Sequence, residues 1–186
     1  MKISNILECH MLVFLTSCVS VDGLYTGYEH LTEKQKGCVV KYEGNIDQLQ
    51  NDGKVYKITV KQLKQYIDKL PLVLIYDYKP KCTGDACVNP TVIETDCQQH
   101  GCQFCLVACD LDGIFDTPEL QSPMLFMDNS PYGTRVQQKY ERWFLEELTG
   151  HTYKERGYGR YMMFRNGQFA GAYNNYADAF QLPSVR

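Results

Sequence analysis

Leu72-Val73-Leu74-Ile75-Tyr76-Asp77-Tyr78 is an apolar run interrupted only by Asp77, and it constrains the fold of this chain more than any other stretch. A half-exposed strand would alternate apolar with polar residues. A continuous run of this length instead reads as a strand covered on both faces, which calls for neighbouring strands and for helices above and below the sheet. Lys79-Pro80-Lys81 follows, then Cys82-Thr83-Gly84-Asp85-Ala86-Cys87. Two cysteines therefore lie just beyond the C-terminal end of a buried strand, where open α/β folds place their reactive groups. A helix start at that position favours the thiolate, the species that attacks a disulfide.

The flanking sequence supplies matching elements. Val55-Tyr56-Lys57-Ile58 alternates as a short strand, and Thr59 with Gln62 has capping-box spacing ahead of a helical face of Val60, Leu63, Ile67 and Leu70. Pro71 closes that helix. Asn89-Pro90 reads as an N-cap followed by a first helical residue, and Val92, Ile93 and Cys97 mark the inward face until Gly101. Gln103-Phe104-Cys105-Leu106-Val107-Ala108-Cys109 is a second buried strand with Cys105 and Cys109 on one face. Residues 110–134 read as a loop in which Met124-Leu125-Phe126-Met127 is either an inserted strand or a hydrophobic plug. Thr134 and Gln137 have capping-box spacing before a helix whose inward face is Val136, Tyr140, Trp143, Phe144 and Leu148, with Gly150 as its stop. Residues 161–172 form a hairpin turning at Asn166-Gly167. This order of elements specifies an α/β architecture with a central mixed sheet flanked by helices.

The chain has 186 residues, 19 Lys and Arg against 22 Asp and Glu, and a net charge of −3. No basic stripe is present to follow a phosphate backbone, which argues against a nucleic-acid partner. Near the N-terminus, Met11-Leu12-Val13-Phe14-Leu15-Thr16-Ser17-Cys18 is an apolar run ending in small residues and a cysteine. It resembles a bacterial lipoprotein signal with Leu15-Thr16-Ser17-Cys18 as the lipobox. The resemblance implies cleavage of residues 1–17, lipidation of Cys18, and a lipid-anchored protein of the cell envelope facing the periplasm or exterior. Residues 18–53 then read as a tether and irregular lead-in, and 54–186 as the folded domain. Of nine cysteines, seven remain if Cys9 leaves with the signal and Cys18 takes lipid, and an oxidising compartment would let disulfides among them persist.

Three features resemble the thioredoxin-like superfamily across about residues 54–175. Val73 to Cys82 resembles the strand and first active-site cysteine of thioredoxin. Pro90, eight residues after Cys82, matches the interval to the family's kinking proline, and Phe164-Arg165-Asn166-Gly167 is similar to the turn of its terminal hairpin. The resemblance implies a thioredoxin-like three-layer sandwich, and a tethered thiol-disulfide oxidoreductase acting on thiols or disulfides of exported proteins. Cys82 would be the attacking and Cys87 the resolving residue, and no cofactor is implied. The chain departs from the family in two ways. Four residues rather than two separate the cysteines, and Arg156-Gly157-Tyr158-Gly159-Arg160 holds no counterpart of the family's cis-proline.

The spacing is a physical test. Cα atoms five residues apart in one helix are ~8.6 Å apart, beyond the roughly 7 Å limit of a disulfide. Cys82 and Cys87 can close only if the segment loops, for which Gly84 gives freedom and Asp85 a turn preference. A non-catalytic alternative follows, in which the pair pins a loop and the protein is a binding or interaction module. Cys97, His100, Cys102 and Cys105 form a smaller alternative, a zinc ligand set, against which buried thiols or a second disulfide weigh more heavily. Copper handling through the cysteine pair and His151, which otherwise reads as a helix C-terminal cation, completes the alternatives.

Overall fold

A computed structural model describes residues 24–84 and 87–181 of the chain. The strands are β1 (Val39–Lys41), β2 (Val55–Ile58), β3 (Leu72–Tyr78), β4 (Gln103–Ala108), β5 (Met124–Met127), β6 (Tyr161–Arg165) and β7 (Gln168–Tyr173). The helices are α1 (Glu33–Gly37), α2 (Val60–Ile67), α3 (Pro90–Gln99), α4 (Gln137–Thr149) and α5 (Tyr153–Arg156). Among the described residues, one mixed sheet runs in the order β1-β2-β5-β4-β3-β6-β7, and its helices flank it in an α/β sandwich. The pairings from β1 across to β3 are parallel, while β3–β6 and β6–β7 are antiparallel. No helix among the described residues is long and apolar enough to cross a membrane.

β3 is central because its side chains are buried on both faces; Val73, Leu74, Ile75 and Tyr76 have no exposed surface. Strand alternation sends Tyr76 toward α3 and Asp77 toward α4. Tyr76 stacks on Tyr161 with centroids 4.7 Å apart, and its hydroxyl donates to the Val88 carbonyl just before α3. Asp77 lies beside Glu141 of α4 and Cys109 after β4.

Several local signals act as their residue types dictate. Thr59 and Gln62 form a reciprocal capping box on α2, Asn89 caps α3 with Pro90 at its first turn, and Gly150 ends α4 at φ 73°. Asn166 and Gly167 take φ 48° and 77°, the left-handed pair that a two-residue hairpin turn needs.

Other elements differ from expectation for identifiable reasons. Thr134 and Gln137 make no capping box: Val136 is the N-cap residue of α4, and Gln137 turns inward to donate to the Cys109 sulfur at 3.0 Å. Trp143 and Val92, assigned to inward faces, are exposed by 37% and 46%, so Tyr140, Phe144 and Leu148 carry the α4 contact and Ile93 and Cys97 that of α3. Met124–Met127 is a strand inserted between β2 and β4. The sheet and core also take in residues ahead of Lys54: β1 pairs with β2, and Leu31 and Ile46 enter the core. A three-residue strand has too little periodicity to be recognised without its partner.

Candidate functional site

The segment after β3 leaves regular structure at once. The Cys82 amide donates to the Lys79 carbonyl at 3.0 Å, closing a turn, and the Cys87 amide donates to the Gly84 carbonyl at 2.8 Å. Cys82 and Cys87 are joined by a disulfide with a Cα separation of 5.8 Å. That distance excludes a shared regular helix, and α3 begins only at Pro90. Gly84 lies in the loop, as expected; Asp85 falls outside the described residues.

Cys82 opens onto a cavity of about 320 Å³. Lys79 and Lys81 line it from the cysteine loop, Arg160 from the segment before β6, Gln137 from α4, and Asp110 and Asp112 from the loop after β4. Asp112 accepts from Lys81 at 2.6 Å and pairs with His30 at 3.0 Å. Burial alone raises the Asp112 carboxyl, but these two hydrogen bonds outweigh it and hold the group below the usual carboxylate range. The wall thus carries three cations and two carboxylates, with Lys81 held by Asp112 and Lys79 by Glu141. The Arg156–Arg160 stretch also faces this end of β3, since the Asp77 amide donates to the Arg160 carbonyl at 2.9 Å. Gly159 is required there, because a Cβ would meet the Tyr173 amide nitrogen at 2.2 Å.

Beside the cavity lies a polar cluster absent from the sequence reading. Atoms of Asp77, Cys109 and Glu141 lie within 4.8 Å of one another, and Asp77 Oδ1 is buried without a hydrogen-bond partner among the described residues. Burial, and then the Glu141 carboxylate, push the Asp77 carboxyl up to about 7, while Lys79 and Arg160 act in the opposite direction. Lys79 pairs with Glu141 at 3.1 Å, and Gln137 donates to Cys109. Lys79, Gln137 and Arg160 thus serve both the cavity wall and the buried cluster. The available signal was the single acid inside an otherwise apolar strand, Asp77 in Leu72–Tyr78.

The remaining candidate residues separate. His100 stacks on Phe180 with centroids 4.4 Å apart and its Nδ1 lies 2.8 Å from the Asp96 carbonyl, so it does not join Cys97, Cys102 and Cys105 in a ligand set. Cys105 and Cys109 are buried on one face of the β4 region, as the sequence indicates. His151 lies against Phe169, whose partner Phe164 pairs with Val73 at the start of β3, so it is at the opposite end of the sheet from Cys82. Cys18 lies outside the described residues. Compared with models of known protein families, with curated proteins and with solved structures, the chain matches none.

Proposed function

We propose that this protein is a thioredoxin-like thiol-disulfide exchange protein, tethered to the cell envelope through a lipidated Cys18, whose Cys82–Cys87 pair acts on disulfides of exported proteins. The observation that carries the reading is the disulfide at the C-terminal end of the central strand, with Cys82 at the wall of a polar cavity bearing Lys79, Lys81 and Arg160 together with Asp110 and Asp112. In the reducing direction the Cys82 thiolate attacks a substrate disulfide, forming a mixed disulfide and expelling one substrate thiolate. The Cys87 thiolate then attacks the Cys82 sulfur, restoring the Cys82–Cys87 disulfide and releasing the second substrate thiolate. Two electrons pass from the protein dithiol to the substrate, and each departing thiolate takes a proton. A Cys82→Ser protein should lose reduction of a test disulfide; turnover equal to that of the parent would contradict the proposal.

A second reading is favoured by the start of α3 at Pro90, eight residues after Cys82. Cys82 lacks a helix N-terminus of its own, and the pair then serves as a static staple in a binding module. That reading requires a disulfide that resists mild reductant.

A further inference from the structure

α3 ends in a turn whose backbone dictates which side chains meet. His100 caps the helix, and Gly101 takes the left-handed conformation at φ 62°. The Cys102 amide donates to the Cys97 carbonyl at 2.8 Å and the Gly101 amide to the Gln98 carbonyl at 3.2 Å. These two bonds define a Schellman motif, in which the third residue from the helix end and the second residue past the cap face each other, ordinarily through a hydrophobic contact. Here both positions are cysteines, Cys97 and Cys102, both buried, and the Cys102 thiol donates to the Gln103 carbonyl at 3.7 Å. The bond lengths along the bridging hydrogen bond hold the two Cα atoms within about 7 Å, the reach of a disulfide.

The two sulfurs are not equivalent. Cys97 has no exposed surface, whereas Cys102 is 5% exposed at the wall of a groove of about 300 Å³ lined by Glu94, Gln98, Phe104 and Gln121. The neighbouring Cys97 thiol lowers the Cys102 pKa against the effect of burial, while the Cys102 sulfur and then burial raise that of Cys97. Access and thiolate character therefore coincide on Cys102.

We propose that Cys97 and Cys102 are a second dithiol-disulfide site, independent of Cys82 and Cys87, that is oxidised by a small-molecule or protein disulfide and then staples the end of α3 to the start of β4. The Cys102 thiolate attacks one sulfur of the oxidant, forming a mixed disulfide and releasing a thiolate that takes up the proton lost from Cys102. Cys97 then acts as the resolving thiol. Its sulfur attacks the Cys102 sulfur, closing the Cys97–Cys102 bond and expelling the second oxidant thiolate, which takes the Cys97 proton. Two protein thiols are oxidised, and one oxidant disulfide is reduced to two thiols.

The test is differential thiol labelling of the full chain after incubation with oxidised glutathione. Free thiols are blocked with one alkylating reagent, the protein is reduced, and newly released thiols receive a second reagent, located by peptide fragmentation. The result expected is the second label on Cys97 and Cys102 together and the first label on Cys105 and Cys109. The Cys82→Ser/Cys87→Ser double variant should give the same pattern, which separates this site from the exchange activity proposed above. Cys97→Ser should retain a glutathione adduct on Cys102, and if that variant fails to fold, the unmutated protein decides the question alone. First label on both cysteines after oxidation, or pairing of Cys102 with Cys105, overturns the proposal.

Discussion

Cys82 and Cys87 hold their Cα atoms 5.8 Å apart across a loop, where one regular helix would set them ~8.6 Å apart. The spacing of four intervening residues is therefore compatible with a closed disulfide, with helix formation deferred to Asn89-Pro90. Under the exchange mechanism Cys82, at the cavity, meets the substrate and Cys87 completes the reaction.

That division of labour predicts an asymmetric trap. A Cys87→Ser protein offered a disulfide-bonded substrate should accumulate a covalent adduct on Cys82, whereas Cys82→Ser should accumulate none. Non-reducing electrophoresis followed by mass spectrometry of the adduct reads the result. Adducts on both variants in equal yield would remove the assignment of roles.

Asp77 predicts a pH dependence of stability. In the unfolded chain its carboxyl ionises near its ordinary value of about 4, whereas in the folded protein it holds its proton to about 7. Between those values the folded state binds more protons, so this contribution is present at low pH and is lost as pH rises through about 7. The loss is on the order of 1–4 kcal/mol, shared with the interacting Glu141. Denaturant unfolding at pH 5 and pH 8 should show a smaller difference for Asp77→Asn than for the parent. An unchanged difference would place the proton elsewhere.

Tyr140 is fully buried and its hydroxyl donates to the Cys109 carbonyl. Tyr140→Phe keeps the ring but leaves that carbonyl without this donor, which should destabilise the fold by about 1–3 kcal/mol. Chemical denaturation checks the figure, and a change below a few tenths would show that the carbonyl finds another partner.

Gly101 has open space around its Cβ position, so replacing it tests backbone conformation alone. Gly101→Ala should destabilise by about 1–2 kcal/mol because φ 62° is unfavourable for a side chain. Gly101→Asn should cost less, since asparagine tolerates that region. Thermal melts compare the three proteins, and equal stability of the Ala and Gly forms would contradict the turn geometry.

The fold was legible wherever a local signal matched its element. The apolar run of β3, the Thr59 and Asn89 caps and the Asn166-Gly167 turn each combine a residue preference with a backbone requirement that needs no distant partner. β1 and the role of β5 were less legible because short strands are defined by partners far along the chain, Val39 with Val55 and Met124 with Val55. Gln137 illustrates a further limit: capping spacing with Thr134 is local, but the buried sulfur of Cys109 supplies a competing tertiary partner. At the site, the cysteine pair was visible in sequence, whereas the Asp77, Glu141 and Cys109 cluster required the α4 register.

The most direct test of the exchange mechanism is the reduction potential of the Cys82–Cys87 pair itself, measured by equilibrating the protein in glutathione buffers of graded ratio and reading the two cysteines by mass spectrometry. An exchange role predicts a potential between about −270 and −120 mV. A pair that stays oxidised to below about −300 mV would contradict the mechanism and identify a structural disulfide.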